Sequence, residues 1–407
     1  MTELVLIQVS GADKPGLTAS ITAILARYGA SILDIGQAEI HDTLSLGILA
    51  AVGSEAESAP VFKEILFRVH EMGLTVRFTP VTESSYDAWV SGQGKSRHIV
   101  TLLGRTIEAE AIARITSIMA DHGLNIDQIS RLSGRVPLRD TGEQTRASVE
   151  FSVRGEADQA DIRGKFLEAA SDLDVDIAFQ EDDVYRRSRR LVAFDMDSTL
   201  IEAEVIDELA KAAGVGDQVA EITERAMQGE LDFQASFAER LALLKGMSSD
   251  VLDDIAKNLP ITEGAERLIF NLRSLGYKTA ILSGGFNYFG CYLQERLGID
   301  YVFANELEVI DGKVTGRVCG QVVDGQRKAE LLREIASKEG IQLKQTIAVG
   351  DGANDLPMLS IAGLGIAFRA KPLVRENARH SISTLGLDGI LYLLGYRDRD
   401  ILEPPKS

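Results

Sequence analysis

The chain has 407 residues, 45% hydrophobic and 26% charged, which is enough for two or three domains that each bury a core. Its net charge of −18 argues against a general nucleic-acid binder or a peripheral membrane protein, since both need a basic face; an anionic small substrate in a locally positive pocket stays open. Cys291 and Cys319 have no metal spacing and form no disulfide framework, no basic region precedes the first apolar run, and no stretch is apolar enough to span a bilayer, so a cytoplasmic protein is expected.

Leu4–Val9 reads as a strand. A turn follows in Asp13-Lys14-Pro15-Gly16, and Leu17, Ile21, Ile24 and Leu25 then recur at helical spacing up to Gly29. A shift of 94 positions places Ile99, Leu103, Ala111, Ile115, Ile118, Gly123, Ile126 and Ile129 opposite Val5, Val9, Leu17, Ile21, Ile24, Gly29, Ile32 and Ile35. That is an internal repeat, and each copy reads β-α-β-β-α-β, a ferredoxin-like sandwich. The second helices are expected around Ala59–Met72 and Asp158–Ser171, with Asp87–Arg97 as linker. This half resembles a tandem pair of ACT domains, over residues 1–86 and 97–180. These are small-ligand sensors often attached to enzymes of amino-acid metabolism. The Asp13–Gly16 turn resembles the family's ligand-side loop, whereas the second copy has Ile107-Glu108-Ala109-Glu110 in its place. Sensing and pure assembly both remain open.

Glu181–Arg190 is strongly charged and contains Arg186-Arg187-Ser188-Arg189-Arg190. It reads as a phosphate-binding patch or as a solvated interdomain linker, and the linker is the expectation.

Leu191–Phe194 is a short apolar run that leads straight into Asp195-Met196-Asp197-Ser198-Thr199-Leu200. Such a run reads as a buried strand, and its C-terminal end is where open parallel sheets place ligands. Two carboxylates there with no basic residue alongside call for a cation. The plainer alternative is a polar turn in which one aspartate caps a helix. More than seventy residues separate this run from the next strand, Lys278–Leu282, which ends in Ser283-Gly284-Gly285-Phe286. The interval reads as helices at Val205–Ala213, Val219–Met227, Phe233–Leu244 and Ser249–Lys257, a cap spanning about 203–265. Then come a hairpin at Leu307–Val314, Gly325-Gln326-Arg327-Lys328 opening the helix Ala329–Glu339, and a strand Thr346–Val349 ending in Gly350-Asp351-Gly352-Ala353-Asn354-Asp355. A fourth strand is expected at Gly363–Ala367, and the residues from Pro404 onward read as a tail.

In this order the four motifs resemble the haloacid dehalogenase superfamily of phosphotransferases, over residues 185–395. The longer runs Asp195–Glu204, Leu282–Phe286 and Phe237–Gly246 are similar to the phosphoserine phosphatase family within it. The resemblance implies an α/β parallel sheet of Rossmann-like kind with a helical cap, behind two ferredoxin-like ACT domains. It implies Mg²⁺-dependent hydrolysis of O-phosphoserine through an aspartyl phosphate, the last step of serine biosynthesis. Another small phosphomonoester is the alternative substrate.

By this resemblance Asp195 is the nucleophile, which splits a difficult displacement into two easier ones. Mg²⁺ is held by Asp195, Asp351 and the backbone carbonyl of Asp197, with Asp355 orienting that shell. Asp197 moves the proton to and from the leaving and attacking oxygens. Ser283 and the amide of Gly284 hold a phosphoryl oxygen, Asn354 bonds the phosphoryl group, and Lys328 balances charge. Glu204 takes the substrate ammonium and Arg240 its carboxylate, although in isolation they read as a helix N-terminal Glu and a solvated Arg. Met227 and Phe233 are pocket walls or core. His41, His70, His98, His122 and His380 lack metal spacing and read as surface or satisfied core residues. The sandwiches leave sheet edges that can pair with another copy, so a homodimer is expected, with serine as effector near Asp13–Gly16 at a domain interface.

Overall fold

The computed structural model describes residues 3–53, 55–94, 96–135, 145–227 and 230–405, apart from the side chains of 55–57, 93, 227 and 233. The readings of Met227 and Phe233 as pocket walls therefore lie outside what it describes. The chain divides into two compact units, Met1–Lys95 and Ser96–Ser407.

The first unit runs β1 (Glu3–Ala12), α1 (Leu17–Arg27), β2 (Ser31–Ile40), β3 (Thr43–Val52), α2 (Glu55–Glu71) and β4 (Thr75–Val81). Its antiparallel sheet has the order β2-β3-β1-β4. Val5, Ile7 and Val9 alternate along β1 and are buried, as period-two patterning requires, against Leu17, Ile21, Ile24 and Leu25 of α1. The edge strand β2 buries none of its ten residues. After β4 the chain forms α3 (Glu83–Ser91), where Thr82 accepts the Ser85 N–H at 3.2 Å. The expected linker Asp87–Arg97 is thus helical over its first part, because a Thr cap and a Glu in the first turn start a helix there.

The second unit opens with the other repeat: β5 (Arg97–Gly104), α4 (Ala109–Asp121), β6 (Asn125–Arg131), β7 (Ala147–Arg154), α5 (Gln159–Leu173) and β8 (Asp176–Glu181), in the order β6-β7-β5-β8. There follow β9 (Leu191–Phe194), then the four helices α6 (Val205–Ala213), α7 (Gly216–Met227), α8 (Phe233–Ala242) and α9 (Asp250–Asn258). After them come α10 (Ala265–Ser274), β10 (Lys278–Phe286), α11 (Asn287–Leu297), β11 (Tyr301–Ile310), β12 (Lys313–Cys319), α12 (Gly325–Lys338), β13 (Thr346–Gly350), α13 (Leu356–Ile361), β14 (Leu364–Phe368), α14 (Pro372–Asn377), β15 (His380–Ile382) and α15 (Gly389–Leu393). These strands form a seven-stranded sheet, β12-β11-β10-β9-β13-β14-β15, parallel except for the β11–β12 hairpin.

The strand β9 is central and covered on both faces. Val192 and Phe194 join the core shared with the cap, and Leu191 and Ala193 join the core under α12 and α13. Phe194 lies level with Ile281 of β10 and Val349 of β13, so the residues after each strand emerge at one edge. That register brings the motifs together.

The second repeat is packed onto the catalytic sheet. Leu103, Leu132 and Ala178 share its core. The fully buried Asp176 accepts from the Ser383 amide at 2.9 Å, the Thr384 amide at 2.9 Å and the Thr384 hydroxyl at 2.7 Å. Arg105 donates to both carboxylate oxygens of Glu263, at 2.8 and 2.7 Å. The arginine run is not a solvated linker throughout. Arg186 is 6% exposed and pairs with Glu150 at 2.5 Å; Arg189 is 8% exposed and donates to Gln180 at 3.1 Å; Arg187 stays exposed. Ahead of the expected tail the chain is tied to α10, because Leu402 exchanges two hydrogen bonds with the Asn271 side chain.

The histidine expectation also needs correction. His98 and His380 are buried, and each leaves its Nδ1 without a hydrogen-bond partner. Burial, then the cations Arg163, Arg189 and Arg379, push His380 from 6.5 down to about 3. The unfolded chain takes up this proton near pH 6.5, while the folded chain resists it until about 3. The contribution of His380 to stability is therefore full above pH 6.5 and is lost as pH falls towards 3, by at most about 1.4 kcal/mol per unit. Denaturant midpoints in chloride buffer between about pH 7.5 and 5 should fall, and His380→Gln should show a shallower fall. Equal slopes would remove His380 as the source.

Candidate active site

Beyond β9 the chain turns sharply. The amides of Leu200 and Ile201 return to the Met196 carbonyl at 2.9 and 3.1 Å, and Ser198 takes a left-handed φ of 54°. This turn puts Asp195 and Asp197 at the sheet edge under the cap. Asp195 Oδ1 accepts the Met196 amide at 2.7 Å, and its other oxygen lies 2.9 Å from Lys328 Nζ. Asp197 Oδ1 accepts the Val205 amide at 3.0 Å, at the start of α6. Asp197 thus bonds a helix start, as in the capping alternative, and its carboxylate faces Gly285. A methyl built on Gly285 would come within 2.5 Å of Asp197 Oδ2.

Lys328 comes from the first turn of α12 and is fully buried; it bonds Asp195 and, at 2.7 Å, Asp355 Oδ1. Burial works against its charge, but Asp195 and Asp355 outweigh that and hold the ammonium above its ordinary value. Asp355 Oδ2 also accepts the Gly352 amide at 3.0 Å. Carboxylate oxygens of Asp195, Asp351 and Asp355 all lie within 4.8 Å of one another. Sequence reading gave Asp355 only a supporting place, whereas here it stands in the acid cluster itself. Burial and the neighbouring Asp355 raise Asp195 well above the usual carboxylate range, despite Lys328. Burial, then Asp355 and Glu204, push Asp351 up to about 7; burial and then Glu204 push Asp197 up to about 8. More negative charge is gathered here than one lysine balances.

Above this cluster lies a cavity of about 650 Å³ between sheet edge and cap, lined by Asp195, Asp197, Asp351, Asn354 and Gly284 from below, and by Glu204 and Arg240 from the cap side. Glu204 accepts from the Ser198 hydroxyl at 2.8 Å, and burial raises its pKa. Arg240 donates to the Ser236 carbonyl at 3.3 Å; burial lowers its pKa, partly offset by Asp207, Glu204 and Asp197. The Ser283 side chain is fully buried, accepts the Gly285 amide at 2.9 Å, and shapes the turn whose Gly284 lines the cavity. The cap side is apolar where Val205, Ile206 and Phe237 contribute.

Sequence reading missed several contributors. Thr199 donates to Asp351 at 3.4 Å. Lys371, Leu373 and Val374 line the cavity from the segment after β14. The signal was available for the last three, because the fourth strand ends at the same edge as the others.

Comparison with known proteins agrees with this geometry. Residues 192–360 match the haloacid dehalogenase-like hydrolase family, and residues 3–79 and 96–180 each match the ACT domain. The chain is 40% identical over 397 residues to the phosphoserine phosphatase of Streptomyces coelicolor, covering 97% of this chain and 93% of that one. The chain belongs to the phosphoserine phosphatase family. It is also 41% identical over 392 residues to a family member from Mycobacterium tuberculosis, covering 96% and 93%. Among solved structures, a HAD family hydrolase from Salmonella enterica serovar Typhi superposes with a TM-score of 0.64 at 30% identity, covering 73% of this chain and 98% of that one. A probable phosphoserine phosphatase from Vibrio cholerae gives 0.58 at 34%, covering 74% and 87%.

Lys328→Met would leave Asp195 and Asp355 buried without their shared cation. Breaking such a pair costs ~3–5 kcal/mol, so a large drop in denaturant midpoint is expected. Adding Asp355→Asn should recover part of it. Absence of any recovery would mean that the loss comes from packing, not charge.

Proposed function

We propose that the chain is a Mg²⁺-dependent phosphatase that hydrolyses O-phosphoserine to serine and phosphate, closing serine biosynthesis. What carries the reading is the conjunction of an acid cluster with one buried lysine below, and a carboxylate and a guanidinium on the cap side of one cavity. The donor set of Asp195, Asp351 and Asp355 is all oxygen, which suits a hard divalent cation. Asp195, Asp351 and the carbonyl of Asp197 would hold Mg²⁺, with Asp355 beside them. When bound, the ion offsets the repulsion between carboxylate and phosphoryl group.

Asp195 attacks phosphorus while the bond to the serine oxygen breaks. Asp197, placed above Gly285, gives its proton to the departing oxygen. Water then attacks the aspartyl phosphate and loses a proton to Asp197. Lys328 keeps Asp195 oriented and balances charge. Ser283, the Gly284 amide and Asn354 receive the phosphoryl oxygens. Glu204 reads the ammonium and Arg240 the carboxylate.

The test is phosphate release from a panel of phosphomonoesters. Phosphoserine should be preferred, chelation should abolish turnover, and added Mg²⁺ should restore it. Asp195→Asn should be inactive yet folded. Asp197→Asn should slow turnover by roughly 10²–10⁴-fold and be partly rescued by an activated aryl phosphate. Glu204→Gln and Arg240→Ala should hurt phosphoserine more than an ester without amino and carboxyl groups. Equal loss on both substrates would move specificity elsewhere.

The ACT repeats are read as an amino-acid sensor, with serine as ligand near Asp13–Gly16, in a cytoplasmic homodimer. In support, Gly16 caps α1 with a left-handed φ of 88°, and Lys14 Nζ donates to the Met72 carbonyl at 2.7 Å, a built loop that the second copy lacks. Ile35 and Ile40 stand exposed on the unpaired edge β2. Serine inhibition should weaken in Asp13→Ala and in a chain starting at Ser96. Unchanged inhibition in both would leave product competition as the whole effect.

A further inference from the structure

Arg163, Arg189, Arg375 and Arg379 converge between the second repeat and the catalytic sheet. One hollow of about 340 Å³ lies between α5 and the segment Arg375–Ser381, and an adjoining one of about 260 Å³ reaches Arg189 and Lys344. The two share Arg163, Phe179, Arg379 and His380. We propose that this cleft binds a small phosphate-type oxyanion, at a site separate from the catalytic cavity.

The argument rests on what the cations lack. Arg186 and Arg187 of the nearby run pair with Glu150 and Asp182. Among the described residues, no carboxylate lies within ion-pair distance of Arg163, Arg189, Arg375 or Arg379. Arg163, Arg189 and Arg375 each keep a buried Nε with no hydrogen-bond partner, and so does Nδ1 of His380. Arg189 and His380 are more than nine-tenths buried. An arginine does not shed its proton to escape such a place, so the charge stays; Asp183 acts on Arg189 and Asp176 on Arg375 without a direct ion pair. Three acids border the cleft. Asp183 spends an oxygen on the Arg186 amide, and Glu181 and Glu376 are exposed. Each cation also bears on its neighbours: burial and then Arg379 lower Arg163, and burial and then Arg186 lower Arg189 to about 10.

In a chain of net charge −18 this local excess is not a by-product of composition. Guanidinium forks match tetrahedral oxyanions, and the hollows hold a phosphate with a short organic part. The cleft touches both the second repeat and β15, so its occupant bridges the two.

The full-length chain would be titrated calorimetrically, in chelator, with inorganic phosphate and separately with glycerol phosphate; melting temperature would be followed in parallel. Chloride at matched ionic strength is the control. Wild type should show saturable binding and a rise in melting temperature. Arg163→Gln/Arg379→Gln should weaken that binding at least about 10-fold and remove most of the rise. Without phosphate the same variant should melt no lower than wild type, because it loses repulsion. Arg379→Gln alone, at an exposed position, provides a milder variant with a partial loss. Binding of inorganic phosphate alone would make that ion the ligand; stronger binding of the ester would point to a phosphorylated metabolite. A phosphate response identical in wild type and variants would overturn the proposal, as would a variant that melts lower without phosphate while keeping the full response.

Discussion

The site depends on one buried ammonium. Lys328 has no exposed surface, and it is held there only because Asp195 and Asp355 approach from two different strand ends. An unpaired lysine in that place would be too costly to keep charged. The pairing in turn fixes how closely β9, α12 and the segment after β13 must approach. Gly325 shows the tolerance: a methyl there would come within 2.5 Å of the Asn354 carbonyl. Asp324 ahead of it caps α12 by accepting the Arg327 amide at 2.9 Å, so the lysine is presented from a helix whose start is fixed. Asp195, the lysine and the rest of the acid cluster are therefore one packing unit.

A second ionic set links the repeat beside the sheet to the rim of the site. Arg105 pairs with Glu263, which also accepts from Arg369 at 3.0 Å; Arg369 donates to Glu202 at 2.8 Å. Arg369 directly follows β14 in a left-handed φ of 45°, two residues before Lys371 of the cavity wall. Glu202 lies two residues before Glu204. These pairs are partly exposed, so each adds little stability, and their value is geometric. The buried end of the interface is firmer: Asp388 is 1% exposed and is held by Arg146 and by Arg267 at 3.0 Å. Cutting the chain near Asp183 would uncover this polar surface together with Leu103 and Ala178, which is why the catalytic sheet is better regarded as carrying its own repeat.

Much of this was legible in the residues. Short apolar runs located β1, β9, β10 and β13, and helical spacing located α6 to the residue. Motif order at three strand ends and one helix start pointed to one edge for Asp195, Ser283, Asp351 and Lys328, because open parallel sheets place ligands at the carboxyl ends of their strands. What escaped was set by long-range contact. The arginine run was read from its own composition, but partners as distant as Glu150 decide which of its members are buried. His380 likewise looks like any lone histidine until β15 and α5 enclose it.

The two repeats show how one pattern can serve different ends. Both fold as β-α-β-β-α-β with the same strand order, so the apolar spacing is sufficient for the sandwich. They diverge at positions that do not affect that core. In the first repeat the loop before α1 keeps Gly16 in a left-handed conformation and ties Lys14 to the end of α2. In the second, α4 starts directly after Glu108, and the polar investment lies in β8, where Asp176 and Gln180 bond the catalytic segment. A loop that shapes a ligand face can be lost without cost to folding. A buried Asp176 cannot arise without partners to receive its charge. The second repeat is therefore committed to its sheet by its chemistry, whereas the first keeps the turn before α1 that the second has lost.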